Sequence, residues 1–206
     1  MRAYIFAGGA IDPANIFYKP EAEDLVIAAD SGWHNATLLG ITPQVLLGDF
    51  DSIGMDALPD AQEIFQVPAE KDRTDTQLAV DLALSRGADD VVIIGGLSGR
   101  LDHSLSNLGI LQALHERHVH AVIEDGFNRV RYLQNTGALI ARSAYTYLSV
   151  LAADKMVKGV SVDGCKYPLK NAKLERKCGF AVSNEITGNC ALVEVRRGAV
   201  FVIESK

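Results

Sequence analysis

The pattern of the chain changes near residue 125, and this change constrains the fold more than any other feature of the sequence. Before it, short apolar runs alternate with segments of helical periodicity. After it, short β-rich runs follow one another and are separated by turns such as those at 163–164 and 197–198. Alternating strands and helices favour a mostly parallel α/β domain, which we assign to residues 1–128. Consecutive short strands favour a small all-β sandwich or jelly-roll, which we assign to residues 129–206.

The first domain contains short, mostly apolar runs that predict strands, and helical segments separate several of them. The strands are expected at 2–7, 24–29, 45–47, 63–67, 90–94 and 119–124. Helices are expected at 33–39, after the capping-box pair Thr74 and Gln77, and around Leu105 and Leu108. In the second domain, strands are expected at 130–133, 138–141, 145–151, 157–162, 191–195 and 200–203. Parallel sheets bind ligands at the carboxyl ends of their strands, so the loops there carry the candidate site.

Two carboxylates, Asp49 and Asp51, follow the third strand one residue apart. At a separation of about 5 Å and an effective dielectric near 20, two unit charges repel by roughly 3 kcal/mol. A divalent cation offsets this repulsion, and Mg²⁺ takes oxygen ligands from one or two carboxylates together with substrate phosphates. The alternative is a solvated turn in which the aspartates bond their own backbone. The pair by itself leaves both interpretations open.

A third acidic residue, Asp75, falls in the first turn of the helix that follows Thr74. The helix dipole alone would explain an aspartate at this position. The dipole does not explain the charge density of the preceding loop, where Lys71, Asp72 and Arg73 crowd the predicted ligand edge of the sheet. We therefore interpret Asp75 as a third metal carboxylate.

A glycine-rich loop at 95–99 follows the fifth strand and leads into Arg100 and a helix N-terminus. The glycines allow a tight turn, the arginine can fork onto a phosphate, and Asp102 can cap the helix. Together these features predict a phosphate cradle, beside which His103 is a binding residue. The segment is neither a P-loop nor a dinucleotide fingerprint. At the end of the second strand, Asp30 or Ser31 could equally cap the next helix or contact the ligand.

Charge and cysteine content exclude several classes of protein. The net charge is −6, from 26 acidic and 20 basic side chains, which argues against a nucleic-acid surface. The three cysteines have an odd count and no C-x-x-C spacing, so reduced thiols are expected and a zinc site is not. No apolar run approaches the roughly 18 residues of a membrane helix, so we expect a cytoplasmic protein without a membrane partner.

Several segments together resemble the thiamin pyrophosphokinase family. They are ADSG at 29–32, GDFDS at 48–52, KDRTD at 71–75 and GGLSGRLDH at 95–103, followed by GCKYPL at 164–169 and SNE at 183–185. The resemblance spans nearly the whole chain. Two positions depart from the family pattern: Ser98, where a third loop glycine is usual, and Cys165, where leucine often stands.

The resemblance implies an α/β nucleotide-binding domain followed by a β-sandwich, acting as a homodimer with thiamin sites at the subunit interface. Such enzymes move the pyrophosphoryl group of ATP onto the hydroxyl of thiamin, giving thiamin diphosphate and AMP. The implied Mg²⁺ ligands are Asp49, Asp51 and Asp75, and the implied catalytic set adds Arg100 and Asp102. The implied ATP-binding residues are Asp30, Ser31, Gly32, Asp72, Thr74, Gly95, Gly96, Ser98, Gly99, Arg100, Asp102, His103 and Asn107. The implied thiamin-binding residues are Gly48, Asp49, Ser183 and Asn184.

Two other functions use the same acidic and glycine-rich parts. One is a Mg²⁺-dependent pyrophosphokinase or nucleotide hydrolase that acts on another substrate. The other is a non-catalytic thiamin sensor, although a sensor has no need for three mutually repelling carboxylates. The Ser183-Asn184 segment, which a hydrolase has no reason to carry, and a product test that separates AMP from ADP distinguish these functions. A sensor would bind its ligand without turnover.

Overall fold

A computed structural model describes residues 1–50, 59–68, 70 and 72–206 of the chain. These residues form two compact units, 1–126 and 127–206. Among the residues described, no helix has the length and apolar character needed to cross a membrane. The units differ strongly in charge. Unit 1 carries 20 acidic and 7 basic side chains, a formal charge of −13, whereas unit 2 carries 6 acidic and 13 basic side chains, a formal charge of +7.

Unit 1 is built on parallel strands, as the alternating pattern predicts. The strands are β1 (Arg2–Phe6), β2 (Leu25–Ala29), β3 (Val45–Gly48), β4 (Glu63–Gln66), β5 (Asp90–Ile94) and β6 (His120–Glu124). Their order is β4-β3-β2-β1-β5-β6, and every neighbouring pair is parallel. The helices are α1 (Gly32–Leu38), α2 (Asp75–Ser85) and α3 (Leu101–Glu116), and a short 3-10 helix covers Pro13–Asn15. The mixed α/β class is therefore confirmed.

The central strands of unit 1 are buried, whereas the edge strand β4 is not. All residues of β2 and β3 are buried, because both faces of a parallel sheet are covered. The short strand predicted at 63–67 is confirmed as β4, and every residue of β4 is exposed at the sheet edge. Arg86 forks onto the Glu63 carboxylate at 2.9 and 2.7 Å and lies 5.8 Å from the Phe65 ring centroid.

The capping box of α2 is confirmed. The backbone N–H of Gln77 donates to Thr74 Oγ1 at 3.2 Å, and the backbone N–H of Thr74 donates to Gln77 Oε1 at 3.1 Å. These two bonds satisfy donors that a helix N-terminus otherwise leaves unpaired. They fix the start of α2, and with it the position of Asp75.

Helix α3 begins differently from the prediction. Arg100, not Asp102, occupies the N-cap position, and its side chain makes no capping bond. Asp102 is the second helical residue, and its carboxylate accepts from the backbone N–H of His103 at 2.9 Å. Leu105, on the predicted helix, is 58% exposed, and the buried face of α3 holds Asn107, Ile110, Leu111 and Leu114.

Unit 2 consists of antiparallel strands. They are β7 (Asn128–Gln134), β8 (Gly137–Ala141), β9 (Tyr147–Ala152), β10 (Met156–Asp163), β11 (Leu169–Glu175), β12 (Cys190–Arg197) and β13 (Ala199–Ser205). Strand β13 pairs with β7 and β9, and a four-stranded sheet has the order β11-β10-β12-β8. Buried side chains from both groups of strands form one apolar core. The core residues include Leu148, Val150, Val157, Val160, Val193 and Val202.

Strand β11 has no counterpart in the sequence prediction. Its residues Leu169–Glu175 lack the alternation of apolar and polar residues, because Leu174 is the one residue of the strand that is buried. Its pairing with β10 also shifts register twice, between Lys158 and Val160 and between Val160 and Val162. A strand with one buried side chain and an irregular register gives no periodic signal.

Candidate active site

The loops at the carboxyl ends of β1, β2 and β5 line a cleft of about 400 Å³ in unit 1, together with the first turns of α2 and α3. This is the edge at which parallel sheets bind ligands. Eleven of the predicted ATP-binding or metal residues line the cleft: Asp30, Ser31, Thr74, Asp75, Gly95, Gly96, Ser98, Gly99, Arg100, His103 and Asn107. The structure thus brings together residues that the sequence separates by up to 77 positions.

The loop after β1 and the loop after β5 are tied to each other at the floor of the cleft. The backbone N–H of Gly9 donates to the Gly95 carbonyl at 3.0 Å. The buried amide of Asn35, on α1, donates to the carbonyls of Ala7 and Gly9 at 2.7 Å each. A Cβ on Gly95, whose φ is +81°, would lie 2.6 Å from the Ala7 oxygen. Only glycine fits this combination of dihedral angle and close approach.

The Gly-Gly pair after β1 is a part of the site that the sequence signalled only weakly. Gly8 and Gly9 line the cleft with Ala7, Ala10 and Thr76, none of which was among the predicted site residues. A Cβ on Gly8 would lie 2.0 Å from Ser31 Oγ. The available signal was a pair of glycines directly after a buried strand, which in most proteins marks only a turn.

The end of β2 places two polar residues at the cleft. Ser31 stands at the N-cap position of α1, but its side chain makes no capping hydrogen bond. Asp30 has a positive φ of +48°, so the backbone turns sharply directly after the strand. The sequence left open whether Asp30 or Ser31 caps the next helix or contacts the ligand. In the structure, the side chain of Ser31 does not cap α1.

The N-termini of α2 and α3 lie at the cleft. Thr74, Asp75 and Thr76 come from α2, and Arg100 and His103 come from α3. Asp75 is half-buried and is the acidic residue in the first turn of α2. Exposed backbone N–H groups and the helix dipole make such N-termini favourable for anions.

The loop at 96–99 is held by two side chains. Ser98 Oγ donates to the Ala10 carbonyl at 3.0 Å, which adds a link between the β5 and β1 loops. The buried amide of Asn107 donates to the Gly96 carbonyl at 2.9 Å. Asn107 thereby anchors the loop to α3, and Ser98, which departs from the family pattern, has a clear role in the loop.

Arg100 and Asp102 form a forked ion pair on the surface of the cleft mouth. The guanidinium contacts the carboxylate through Nε at 3.2 Å and Nη2 at 2.6 Å, and both side chains are largely exposed. The hydrogen bonds from Arg100 hold the pKa of the Asp102 carboxyl below its ordinary value, and the carboxylate raises the pKa of the guanidinium. Both groups therefore stay charged at neutral pH.

Other predicted site residues do not line the cleft. Gly32 packs α1 against β1, because a Cβ there would lie 1.9 Å from the Phe6 oxygen. Asp72 is exposed, Gly48 is buried at the end of β3, and half-buried Asp49 follows it. Asp51 lies outside the described residues.

A metal ion held by side chains alone needs several ligand side chains that lie close together. Among residues 1–50, 59–68, 70 and 72–206, no group of three or more His, Cys, Asp or Glu side chains lies close enough to hold a metal ion. Among the described residues, the carboxylates that line the cleft are those of Asp30 and Asp75. Carboxylate oxygens are the ligand type that Mg²⁺ prefers, and one or two suffice when phosphates supply the rest.

In unit 2, Asn184 holds a turn of its own unit. Its Oδ1 accepts from the backbone N–H groups of Tyr167 at 2.9 Å and Glu185 at 3.0 Å, and its Nδ2 donates to the Tyr167 carbonyl at 2.7 Å. Its neighbour Ser183 is exposed, with a φ of +59°, and its backbone N–H donates to Ser149 Oγ at 3.0 Å.

Asn184 also lines a cavity of about 480 Å³ within unit 2, which the sequence analysis did not identify. Tyr167, Phe180 and Val182 contribute exposed apolar surface to it, at 59%, 62% and 47% exposure. Lys166 Nζ lies 5.6 Å from the Tyr167 ring centroid. The cavity therefore offers aromatic faces at which a flat or cationic ring can bind.

The chain is similar to known proteins over most of its length. Residues 19–123 match the family profile "Thiamin pyrophosphokinase, catalytic domain", and residues 138–200 match "Thiamin pyrophosphokinase, vitamin B1 binding domain". The thiamine pyrophosphokinase of Bacillus subtilis (strain 168) is 29% identical, over 98% of this chain and 97% of that protein. The crystal structure of thiamine pyrophosphokinase from Bacillus subtilis superposes with a TM-score of 0.88 at 27% identity, over 100% of this chain and 99% of that one. The thiamin pyrophosphokinase structure from Geobacillus thermodenitrificans gives 0.85 at 28% identity, over 100% and 98%.

Proposed function

Because the chain belongs to the thiamin pyrophosphokinase family, we propose that it transfers the pyrophosphoryl group of ATP to the hydroxyl of thiamin. The products are thiamin diphosphate and AMP. The observation that carries this assignment to particular residues is the cleft of unit 1, where two glycine loops, two helix N-termini, Arg100 and Asp75 surround one space. These are the parts that bind and neutralise phosphates.

The triphosphate of ATP binds in this cleft. The glycine loops let phosphate oxygens approach backbone N–H groups, since no Cβ stands in the way at Gly8, Gly9 or Gly95. The N-termini of α2 and α3 add partial positive charge. The remaining implied ATP contacts, Asp30 and Ser31 among them, line the same space.

Arg100 supplies the full positive charge at this site. Attack of the thiamin alcohol on the β-phosphorus builds negative charge on the phosphoryl oxygens, and catalysis consists mainly of positioning and charge neutralisation. The fork of Arg100 that now contacts Asp102 matches the geometry of phosphate oxygens equally well. Asp102 is then a positioning residue, which keeps the guanidinium extended at the cleft mouth until ATP arrives.

Mg²⁺ is the metal that suits the donors of this site. Asp75 lies in the cleft wall, and Asp49, with Asp51 two positions on, follows the neighbouring strand β3. When bound, the ion would add to Arg100 in neutralising phosphate charge, in a unit whose formal charge is −13. The carboxylates hold the ion, and the glycine loops hold the phosphates.

Thiamin binds with the help of unit 2, at Ser183, Asn184 and the aromatic cavity beside them. Its flat thiazolium ring suits the exposed face of Phe180, because Lys166 already lies 5.6 Å from the Tyr167 ring centroid. Because three hydrogen bonds already engage the Asn184 amide, its main contribution is to fix the Tyr167 turn. We further propose that Gly48 and Asp49 contact thiamin, that the protein is a cytoplasmic homodimer, and that the thiamin sites lie at the subunit interface.

The test is incubation of the purified protein with thiamin, ATP and Mg²⁺, followed by chromatography of AMP and thiamin diphosphate. We expect the two products in equal amounts, with none after addition of EDTA or without thiamin. Release of AMP or ADP without thiamin would instead indicate a nucleotide hydrolase. Tight thiamin binding without turnover would indicate a sensor.

A further inference from the structure

A second cavity of unit 1, of about 390 Å³, lies between α2 and α3 and shares no lining residue with the phosphate cleft. We call it the α2–α3 groove. Its lining residues are Arg73, Gln77, Val80, Asp81, Leu84, Ser106, Gly109, Ile110, Ala113, Leu114 and Arg117. Its volume falls within the range of about 300 to 1,000 Å³ that is usual for small-molecule sites.

The α2–α3 groove combines an apolar floor with a cationic rim. Val80, Ile110 and Leu114 are buried and belong to the floor. At the rim, Asp81 forms an ion pair with Arg73, and its other oxygen lies 3.9 Å from Arg117 Nη1. One carboxylate thus serves two guanidinium groups, and both arginine side chains are 60% exposed. Within the described residues, the Arg117 side chain, 3.9 Å from Asp81, makes no hydrogen bond.

Gly109 is a second, independent indication that the α2–α3 groove is kept open. It lies in the interior of α3, where glycine destabilises a helix relative to alanine. Close packing does not require it, because a Cβ at this position would meet no atom of the described residues within 4 Å beyond its own helix backbone and chain neighbours. Its dihedral angle φ is not in the positive range either. The remaining consequence of the glycine is the empty space that it leaves in the groove wall.

We propose that the α2–α3 groove binds a small amphipathic anion. The ligand has a flat apolar body that rests on the Val80, Ile110 and Leu114 floor beside Gly109. It carries one carboxylate, sulfonate or phosphate group, which takes the N–H donors that Asp81 leaves free on Arg117. Both parts are needed. The apolar floor alone would not orient a ligand, and the rim alone is an ordinary surface ion pair.

The probe for this site is 8-anilinonaphthalene-1-sulfonate, whose fluorescence rises when its aromatic rings enter apolar surroundings. We expect a saturable site that persists in the folded protein when saturating ATP and thiamin occupy the phosphate cleft and the aromatic cavity of unit 2. Gly109→Leu fills the groove and should abolish this binding. Arg117→Gln removes the charge but keeps the floor and should weaken binding about tenfold or more, as expected for loss of a charge-assisted hydrogen bond. Gln112→Leu, on the exposed side of α3, is the matched control and should bind as the unmodified protein does.

Three results would overturn the proposal. In the first, Gly109→Leu retains the binding while Phe180→Ala loses it, so that the probe occupies the aromatic cavity of unit 2. In the second, Gly109→Leu and Arg117→Gln both bind the probe as the unmodified protein does, so that the probe lies outside the groove. In the third, the unmodified protein binds no probe and Gly109→Glu reduces its size in gel filtration, so that a second copy of the chain covers the groove. Circular dichroism of each variant confirms that it folds.

Discussion

Replacing Gly95 by alanine tests whether the floor of the phosphate cleft depends on the close approach of two loops. Gly95 has a φ of +81°, and a Cβ there would lie 2.6 Å from the Ala7 oxygen and 2.7 Å from Asn35 Nδ2. The left-handed backbone costs an L-residue about 1 to 2 kcal/mol. The Cβ also displaces the Asn35 amide from its two hydrogen bonds, at about 1 kcal/mol each. We therefore expect the free energy of unfolding to fall by about 3 to 4 kcal/mol.

Gly99→Ala is the matched control for this experiment. Gly99 has nearly the same φ, +85°, but a Cβ at this position would meet no atom within 4 Å in the described part of the chain, apart from its own chain neighbours. It should therefore lose only the backbone part, about 1 to 2 kcal/mol. Urea unfolding followed by circular dichroism gives both values. Equal losses in the two variants would refute the reasoning, because the close approach of Gly95 to Ala7 and Asn35 would then contribute nothing.

Three further predictions follow from the site. Asp75→Asn should lower turnover about a hundredfold or more with the circular dichroism spectrum unchanged, as expected when charge stabilisation in an active site is removed; near-normal turnover at saturating Mg²⁺ would contradict the metal assignment. Asn184→Ala should raise the KM for thiamin more than that for ATP, because the turn held by its amide loses three hydrogen bonds; equal changes in both values would contradict this. Burial raises the pKa of the Cys165 thiol, so less thiolate forms near neutral pH and a thiol reagent should modify exposed Cys178 and Cys190 first; simultaneous labelling of all three would be inconsistent with the structure.

The parts of the molecule that could be predicted from the sequence are those encoded over a few neighbouring residues. The capping box of Thr74 and Gln77 needs only a spacing of three, and the apolar runs of the parallel strands are continuous. Because strand ends meet at one edge of a parallel sheet, the predicted strands also placed Asp30, Asp75 and the 95–99 loop in one cleft.

The parts that could not be predicted depend on partners far away in the sequence. The exposure of β4 follows from its place at the sheet edge, which its own residues do not encode. The bond between Ser98 and Ala10 joins two loops 88 positions apart. Two of the three side-chain hydrogen bonds of Asn184 reach back to Tyr167, so an asparagine that the motif indicates as a ligand contact also has a structural task. The periodicity of apolar residues along the chain does not indicate such long-range contacts.

The opposite charges of the two units, −13 and +7, bear on how fast ATP reaches its site. ATP is a polyanion, and its cleft lies in the negatively charged unit. At low ionic strength the field of that unit slows the diffusional encounter, and salt shortens the range of the field to about 8 Å at physiological concentration. The association rate of free ATP should therefore rise with added salt, the reverse of the usual behaviour of electrostatically steered ligands. A divalent cation that binds ATP in solution lowers the negative charge of ATP before the encounter. It should therefore also raise the association rate, at any salt concentration.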